Sequence, residues 1–438
     1  MITFTIESYM CGGRVPEGRE KERQGEGAVR EFGIVIVDPY SSGSLFAERL
    51  QSSQIRCMAV QSSSWTPRWL KAKCDPSLFE HVVIHRGDLS ETAAQVRRWQ
   101  PTHVVAGFES GVDLAGDLAS ALELPGNDPS LRNARRDKAV MAEAVARRGI
   151  RTPKQFCDRD VDAILKWIRS EVSWPVIVKP TRSAASDDVH RCCNPTEVRE
   201  AVSGILGRSN VLGEINERVV VQEYLDGTEY AIDMVCSPTE RVITAFWRYH
   251  RPAGSDRFVG YDQMTLLPYD GTRQRALEAC AVKVADALGI RHGPAHCELM
   301  WVDDEPAFIE MGARFSGGIN GALSHLCGGY GQFEMMIELM VAPDRFRRRA
   351  SRRPRLRKRA ANLFLMPARS GRLVQTRGLE QIRALATLHS FSIASTPGVK
   401  LDRVAGRITL LAEDPAAIEA DVQRIRRLER QGMFELEH

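Results

Sequence analysis

The chain has 438 residues, of which 43% are hydrophobic and 26% are charged, and its formal net charge is only +4. This length predicts two to four domains, and the composition is typical of a globular protein with a large core. The small net charge and the lack of a recognisable binding motif argue against nucleic acid as a partner. The apolar runs are of strand length, so we expect no membrane-spanning helix.

Two further features concern the cellular location and the N-terminus. The ten cysteines are scattered along the chain without a CxxC motif, which predicts reduced thiols and a cytoplasmic location. Residues 1–30 are polar, rich in Gly, Glu and Arg, and lack the apolar core of a signal peptide. We therefore expect a poorly ordered extension there.

The segment 31–130 alternates strand-like and helix-like stretches. The strand-like stretches are Phe32–Asp38, Ile55–Val60, Val82–Ile84 and His103–Ala106. Alternation of this kind predicts a parallel sheet in an α/β domain. The turn Ser41–Gly43 after the first strand suits an anion at the start of the next helix, which we expect over Ser44–Leu50. A plain strand-to-helix turn explains the same residues equally well.

The middle of the chain carries lysines and acids at the ends of predicted elements. A helix is predicted from Asp137 to Arg148, with Lys138 near its start, and the apolar stretch Trp174–Lys179 ends in a lysine. A lysine in that position usually extends its ammonium into solvent. A further strand-like stretch begins at Val219 and leads through a turn to Glu229.

Two glutamates flank a short turn further along the chain. Glu298 and Glu310 lie in strand-like runs on either side of Asp303–Pro306, so a hairpin would bring their side chains together. Facing carboxylates repel unless a cation lies between them, and Mg²⁺ bound to ATP phosphates is suited to that role. A surface hairpin with solvated acids remains an alternative at this point.

The segment 344–438 contains three strand-like stretches and a closing helix. The strands are predicted at Ala361–Met366, Leu388–Ile393 and Arg407–Leu411, and the helix at Pro415–Arg427. This pattern predicts a small α+β domain. The basic stretch Arg345–Arg359 has few aromatic residues, so we interpret it as a solvated surface between domains rather than as a nucleic-acid patch.

Several of these residues form an ordered set. Along the chain they are Lys138, Lys179, the turn Gln222–Glu229, Glu298, Glu310 and Arg314. The set resembles that of ATP-grasp enzymes, which have these elements in the same order. The run Glu310–Gly318 is similar to the Glu-x-x-x-Arg-x-x-Gly-Gly run of bacterial L-amino acid ligases, the dipeptide synthetases of the bacilysin-synthetase type.

The resemblance implies a multidomain α/β and α+β protein with the ATP-grasp fold. The expected parts are the extension 1–30, an N-terminal parallel α/β domain at 31–130, the ATP-grasp domain at 131–343 and a small C-terminal α+β domain at 344–438. The nucleotide and metal site is expected in the third of these parts.

The resemblance also implies which residues contact ATP. They are Lys138 and Lys179 at the phosphates, Ser186 in the phosphate lid, Gln222 and the backbones of Glu223 and Leu225 at adenine, and Glu229 at the ribose. The lid loop departs from the glycine-rich pattern of the family, because Ala185 and Asp188 stand where glycines are usual. Glycine permits close backbone approach to phosphate, so the role of this loop stays open.

The metal ligands implied by the resemblance are Glu298 and Glu310. They would bind Mg²⁺, for which Mn²⁺ can substitute, between the β- and γ-phosphates. Many ATP-grasp enzymes have an asparagine two residues after the second glutamate as a further ligand, whereas this chain has Gly312. Water or a bidentate Glu310 would have to replace that ligand.

The same resemblance assigns residues to the reacting groups. Arg314 would stabilise the charge that develops during phosphoryl transfer. The expected substrate contacts are His296, Gly317 and Gly318. For His296 a purely structural role remains an alternative. The small size of Gly318 leaves room that suits a large side chain on the first substrate.

The implied activity is an ATP-dependent ligase that joins two L-amino acids into a dipeptide through an acyl phosphate and releases ADP and phosphate. Its partners would be ATP and two amino acids, and relatives of this kind are often homodimers. Residues 247–264 are expected to influence amino-acid selectivity. The alternatives are another carboxylate–amine ligase or carboxylase of the superfamily, and a non-catalytic nucleotide-binding regulator.

Overall fold

The computed structural model describes residues 4–7, 32–251, 261–318, 320–353, 355–401 and 404–437. The predicted N-terminal extension lies outside these ranges except for strand β1 (Phe4–Glu7), which pairs antiparallel with residues 391–394 near the C-terminus. Part of the segment 247–264 also lies outside the described residues.

The N-terminal domain is the predicted α/β unit. Its strands are β2 (Gly33–Val37), β3 (Arg56–Gln61), β4 (Val82–Ile84) and β5 (His103–Ala106), and its helices are α1 (Ser42–Ser52), α2 (Arg68–Lys71), α3 (Leu89–Arg98) and α4 (Val112–Ala121). All strand pairs are parallel, in the order β4-β3-β2-β5, which confirms the predicted parallel sheet. Helix α1 begins two residues earlier than predicted, and the Ser41 side chain does not cap it.

A small antiparallel lobe follows. It consists of α5 (Lys138–Ala146), β6 (Gln155–Asp158), α6 (Val161–Glu171), β7 (Val176–Pro180), β8 (His190–Cys192), α7 (Pro195–Ile205) and β9 (Val219–Glu223). The strands form one sheet in the order β6-β9-β7-β8. Apolar side chains of α6 and α7, such as Ile164 and Val202, pack against Val178 and Val221 of the sheet. This packing fixes the strand that carries Lys179.

The large lobe is built on a second antiparallel sheet. Its elements are β10 (Thr228–Cys236), β11 (Arg241–His250), β12 (Gln263–Leu267), α8 (Thr272–Ala287), β13 (Gly293–Val302), β14 (Glu305–Gly312), α9 (Asn320–Gly328), α10 (Gln332–Val341) and α11 (Pro343–Ala350). Strand β10 lies between β11 and β13, and β14 forms the edge. This arrangement carries the acids of β10, β13 and β14 on neighbouring strands.

The C-terminal part completes the same sheet. Its elements are β15 (Arg359–Leu365), β16 (Gly371–Thr376), α12 (Leu379–Arg383), β17 (Leu388–Ala394), β18 (Lys400–Leu401), β19 (Gly406–Ala412), α13 (Pro415–Arg430) and β20 (Phe434–Glu437). Strand β15 pairs with β12, so a nine-stranded sheet in the order β1-β17-β19-β15-β12-β11-β10-β13-β14 crosses the predicted boundary at 343/344. Strands β18, β16 and β20 form a separate small sheet.

The basic stretch Arg345–Arg359 begins within helix α11. Arg345 and Arg349 of that helix form ion pairs with Glu338 of α10, at 3.0 and 2.7 Å. The Arg349 guanidinium also lies 5.1 Å from the centre of the Tyr330 ring. Some of these arginines are therefore engaged within the chain. Over the described ranges, no helix combines the length and apolarity needed to cross a bilayer.

Candidate active site

The predicted acidic hairpin is present. Strands β13 and β14 are joined by Asp303 and Asp304, whose φ angles of 53° and 60° are typical of a two-residue type I′ turn. The register places Glu298 directly opposite Glu310, and a β-bulge follows Glu298. The side chains of these glutamates are only 25% and 22% exposed. The alternative of a surface hairpin with solvated acids is therefore wrong.

Two lysines of the small lobe face this hairpin. Lys138 opens helix α5, which Asp137 caps by accepting hydrogen bonds from two backbone N–H groups. Lys138 Nζ lies 3.3 Å from Glu310 Oε1 and donates to the Ser183 carbonyl at 2.9 Å. Lys179 of β7 is only 6% exposed, so its ammonium does not extend into solvent as the alternative required. Burial outweighs the attraction of Glu310 and lowers the pKa of Lys179 to about 8.

A third carboxylate adjoins the hairpin. Glu229 lies on β10, a strand that pairs with β13. Burial and repulsion by Glu298 raise the pKa of Glu229 to about 8. Glu229, Glu298 and Glu310 are called the acidic cluster below. Glu298 behaves differently, because His296 and Arg314 outweigh burial and lower the pKa of its carboxyl group.

His296 holds one member of the acidic cluster in place. Its Nδ1 lies 2.6 Å from Asp233 Oδ1, and its Nε2 lies 3.2 Å from Glu298 Oε1. Burial disfavours its charged form, but Asp233 and Glu298 outweigh burial and raise the pKa of His296 to about 9. Asp233 is itself fixed by the Trp247 indole N–H, at 2.9 Å. These contacts favour a structural role for His296, in which it positions Glu298, over a contact with the substrate.

The hinge between the lobes contains the residues expected at adenine. Gln222 is buried, and its Nε2 donates to Gln155 Oε1 at 3.0 Å. The Glu223 N–H donates to the Lys154 carbonyl at 2.9 Å. Leu225 is buried in a small apolar cluster with Met300 and others. The structure thus brings these three residues together, and their contact with adenine stays a prediction.

Arg314 has a partner that the sequence did not indicate. Its Nε donates to Glu109 Oε2 at 2.8 Å, and its Nη1 donates to the Phe315 carbonyl at 2.8 Å. Glu109 follows strand β5 of the N-terminal domain, is 3% exposed and also accepts from Arg136. Burial favours the neutral acid, but Arg314 and Arg136 outweigh it and lower the pKa of Glu109. A lone glutamate in a loop of another domain gives no sequence signal for this contact.

The Glu109–Arg314 pair also explains Gly312. A Cβ on Gly312 would lie 3.3 Å from Arg314 Cζ and 3.3 Å from Glu109 Oε2. The space for a longer side chain at this position is therefore taken by the ion pair. This packing gives a physical reason why the asparagine usual in the family is replaced by glycine here.

The lid loop has left-handed backbone angles, which favour glycine, at three residues that are not glycine. Ala185, Ser186 and Asp188 have φ angles of 58°, 55° and 50°. Asp187 accepts hydrogen bonds from Ser183 Oγ and from the Val211 N–H, which turns its carboxylate into the loop. Ser186 is exposed, and its contact with phosphate stays a prediction.

The Gly317–Gly318 pair lies against the C-terminal part. Gly318 has a φ of 65°, which favours glycine. A Cβ on Gly318 would lie 2.8 Å from Nη1 of Arg407, whereas Gly317 has open space around it. The expectation that Gly318 leaves room for a large substrate side chain is wrong, because the Arg407 guanidinium already fills that space.

The donor set fits the expected cation. In the part of the chain that the structure covers, no group of three or more His, Cys, Asp or Glu side chains is arranged to hold a metal by itself. Glu298 and Glu310 nevertheless offer hard oxygen ligands that face each other across the hairpin. Mg²⁺ commonly takes one or two carboxylates and completes its shell with phosphate oxygens and water. Lys138 and Lys179 supply the cations that such phosphates require.

Comparisons with known proteins agree with this geometry. Residues 172–322 match the model of the ATP-grasp domain family. Dapdiamide A synthase from Enterobacter agglomerans is 27% identical over 407 residues, which cover 90% of this chain and 95% of that protein.

Solved structures share the fold. The L-amino acid ligase from Bacillus licheniformis superposes with a TM-score of 0.72 at 18% identity, over 93% of this chain and 99% of that chain. N5-carboxyaminoimidazole ribonucleotide synthetase from Thermus thermophilus gives a TM-score of 0.63 at 18% identity, over 90% and 98%. The chain therefore contains an ATP-grasp domain and has the fold of these proteins, and the comparisons support a carboxylate–amine ligase.

Proposed function

We propose that the protein joins two L-amino acids into a dipeptide through an acyl phosphate, with release of ADP and phosphate. The observation that carries this proposal is the meeting of Lys138 and Lys179 with the facing glutamates of the hairpin. The likeness to dapdiamide A synthase and to an L-amino acid ligase supports amino acids as substrates. A homodimer and a cytoplasmic location remain predictions.

In the first step, a carboxylate oxygen of the first amino acid attacks the γ-phosphorus of ATP, and ADP leaves. Lys138 and Lys179 neutralise the phosphates. Glu298 and Glu310 would hold Mg²⁺, which lowers the negative charge between the β- and γ-phosphates when bound. Arg314, oriented by a buried ion pair, stabilises the charge that develops on the transferred group.

In the second step, the amine of the second amino acid attacks the acyl carbonyl, and phosphate leaves. No covalent bond to the protein is needed, so the protein contributes orientation and exclusion of water. His296 bridges Asp233 and Glu298 and is charged near neutral pH, so we assign it positioning of Glu298 rather than proton abstraction. The assignments of Gln222 and Glu229 to the nucleoside belong to the same proposal.

The test is release of ADP and phosphate over all pairs of the twenty amino acids, with product masses recorded. We expect turnover with a subset of pairs and masses equal to the two amino acids minus one water. Turnover with bicarbonate instead would identify a carboxylase. Binding of ATP without turnover on the whole panel would identify a nucleotide-binding regulator, and either result would contradict the proposal.

A further inference from the structure

Two cations border the candidate active site without a carboxylate partner. One is Arg407 of β19, whose Nη1 approaches Gly318. The other is Lys73 of the N-terminal domain, whose ammonium lies 5.0 Å from the centre of the Trp69 ring. Within the described ranges, no acidic side chain pairs with either cation at 4.0 Å or less.

Arg407 is connected to the reacting groups through aromatic side chains. Its guanidinium lies 4.8 Å from the centre of the Phe364 ring, and the Phe364 and Tyr261 rings are 5.4 Å apart. Tyr261 packs on Tyr249 at 4.1 Å, and the Tyr249 hydroxyl lies 3.4 Å from His296 Nε2. This row of side chains links Arg407 to the histidine that holds a metal-ligating glutamate. Arg407 is therefore one end of a packed row of side chains that reaches the candidate site.

The local charges agree with this placement. Burial lowers the pKa of Arg407. Lys73 is exposed as a residue, but its ammonium is partly screened from solvent, which together with the Arg407 charge lowers its pKa. Burial, Glu298 and Glu229 raise the pKa of Tyr261, and Arg407 acts in the opposite direction. Tyr261 thus stands between the acidic cluster and this cation. A cation held in such a position normally has an anionic partner, so an anion from outside the chain is expected here.

We propose that Arg407, with Lys73 beside it, binds the α-carboxylate of the second amino acid, the substrate whose amine attacks the acyl phosphate. This inference rests on the proposed function. The carboxylate of the first amino acid reacts at the γ-phosphate, whereas the carboxylate of the second survives the reaction and needs a partner of its own. A guanidinium matches a carboxylate with two parallel hydrogen bonds.

The consequence is a defined nucleophile class. The second substrate must carry a free α-carboxylate next to its amine, so the protein selects amino acids over simple amines and amino-acid amides. Binding of this carboxylate by Arg407 also sets the distance between the amine and the acyl carbonyl, which helps to orient the amine in the second step. Arg407 comes from the C-terminal part and Lys73 from the N-terminal domain, so the proposed carboxylate site would be formed by both parts of the chain.

The test separates the two steps with hydroxylamine, which captures the acyl phosphate as a hydroxamate without a second amino acid. In Arg407→Gln we expect hydroxamate formation to persist while the KM for the second amino acid rises roughly ten- to a hundredfold. The amide of the same amino acid should react poorly with wild type and variant alike. Arg407→Lys should restore part of the affinity.

Two variants guard against a folding artefact. Lys73 has an exposed side chain, so Lys73→Gln should fold normally and raise the same KM by a smaller factor. Arg372, whose Nη1 contacts the Gly398 carbonyl on the small C-terminal sheet, provides the control, and Arg372→Gln should leave both steps unchanged. A parallel loss of hydroxamate and dipeptide in Arg407→Gln, or an equal loss for amino acid and amide, would overturn the proposal.

Failure of the proposed function gives a different result. In that case wild type would form no hydroxamate with any of the twenty amino acids. Calorimetric titration with the amino acids and their amides, with ADP and Mg²⁺ present, then decides the inference by itself. Binding of amino acids over amides that disappears in Arg407→Gln supports the anion site, and equal binding to both proteins contradicts it.

Discussion

Two groups of glutamates lie within the candidate site and differ in their exposure and in their partners. Glu109 accepts hydrogen bonds from two arginines, which outweigh burial and lower its pKa. In the acidic cluster, Glu229 has a pKa raised to about 8 by burial and by Glu298. Glu109 belongs to a buried ion-pair network, whereas Glu298 and Glu310 of the acidic cluster face each other and remain partly open to solvent.

This difference assigns the two groups different tasks. A compensated network keeps its geometry with or without substrates, so the Glu109 network is suited to hold Arg314 in one orientation. Facing carboxylates that remain partly open to solvent can accept a cation, so the acidic cluster is suited to take up Mg²⁺ with ATP. Variants of each group should therefore affect catalysis in different ways.

Glu310→Gln should have the largest effect. Loss of one metal-binding carboxylate removes several kcal/mol of charge stabilisation, so kcat should fall roughly a thousandfold or more. ADP release at saturating ATP measures the effect. Glu305→Gln on the exposed end of the same strand is the matched control and should stay within about twofold, since an exposed ion pair contributes little. An unchanged rate in Glu310→Gln would refute the metal assignment.

Glu109→Gln should have the next largest effect. Arg314 would lose its charged partner, so kcat should fall about ten- to a hundredfold while the KM for ATP changes little. The buried arginines would also be less well compensated, at a cost of about 3 kcal/mol in the free energy of unfolding. Steady-state kinetics and denaturant unfolding measure both effects.

The control for that variant is Glu214→Gln. Glu214 pairs with the same Arg136, but its side chain is 37% exposed. Its loss should therefore leave kcat within a few fold. If Glu109→Gln raised only the KM for ATP, the idea that Glu109 orients Arg314 would be wrong.

The lowered pKa of Lys179 predicts that ATP binding depends on pH. Its pKa of about 8 means that the free protein loses this cation as the pH rises through 8. Binding of ATP phosphate should favour the charged form, so the Kd for ATP should be flat near pH 7 and rise up to about tenfold per pH unit above 8. Lys179→Arg keeps its charge and should remove that rise. Calorimetry from pH 6.5 to 9.5 measures the Kd for ATP. The same dependence of Kd on pH in wild type and Lys179→Arg would contradict the prediction.

Gly312→Ala should have the smallest effect. The added methyl group would press on Arg314 and Glu109 at 3.3 Å, which a small shift of these side chains relieves. We expect a loss of about 1 kcal/mol in stability and a kcat reduced by less than tenfold. Thermal unfolding and ADP release measure both quantities. Gly204→Ala on helix α7, at a position with open space around it and outside the candidate site, is the control, and an equal effect there would show that packing is not the cause.

The sequence predicted those parts of the site that are local along the chain. Glu298 and Glu310 lie on one hairpin. The two strand-like runs and the turn residues between them identify a hairpin from the sequence, without knowledge of tertiary contacts. Contacts between distant segments were not predicted, because single residues such as Glu109 and Arg407 carry no pattern. The assumption of free space at Gly318 failed for that reason, since Arg407 approaches it from the C-terminal part.

For the fold, too, local features were predicted and contacts between distant segments were not. The alternating pattern of the N-terminal domain predicted its parallel sheet, whose strands match within one residue or so. The short strands β6, β8, β16, β18 and β20 were not predicted, since they have few residues and little apolar alternation. The pairing of β12 with β15 was also missed, because a sheet shared by two sequence segments depends on tertiary packing.

The most direct test of the account uses a first amino acid labelled with oxygen-18 in its carboxylate. Attack of that carboxylate on ATP, followed by release of phosphate from the acyl phosphate, transfers one labelled oxygen to the inorganic phosphate. An acyl-phosphate mechanism predicts ADP, a dipeptide and phosphate that carries one oxygen-18 atom. Unlabelled phosphate, or AMP and pyrophosphate as products, would contradict the acyl-phosphate mechanism.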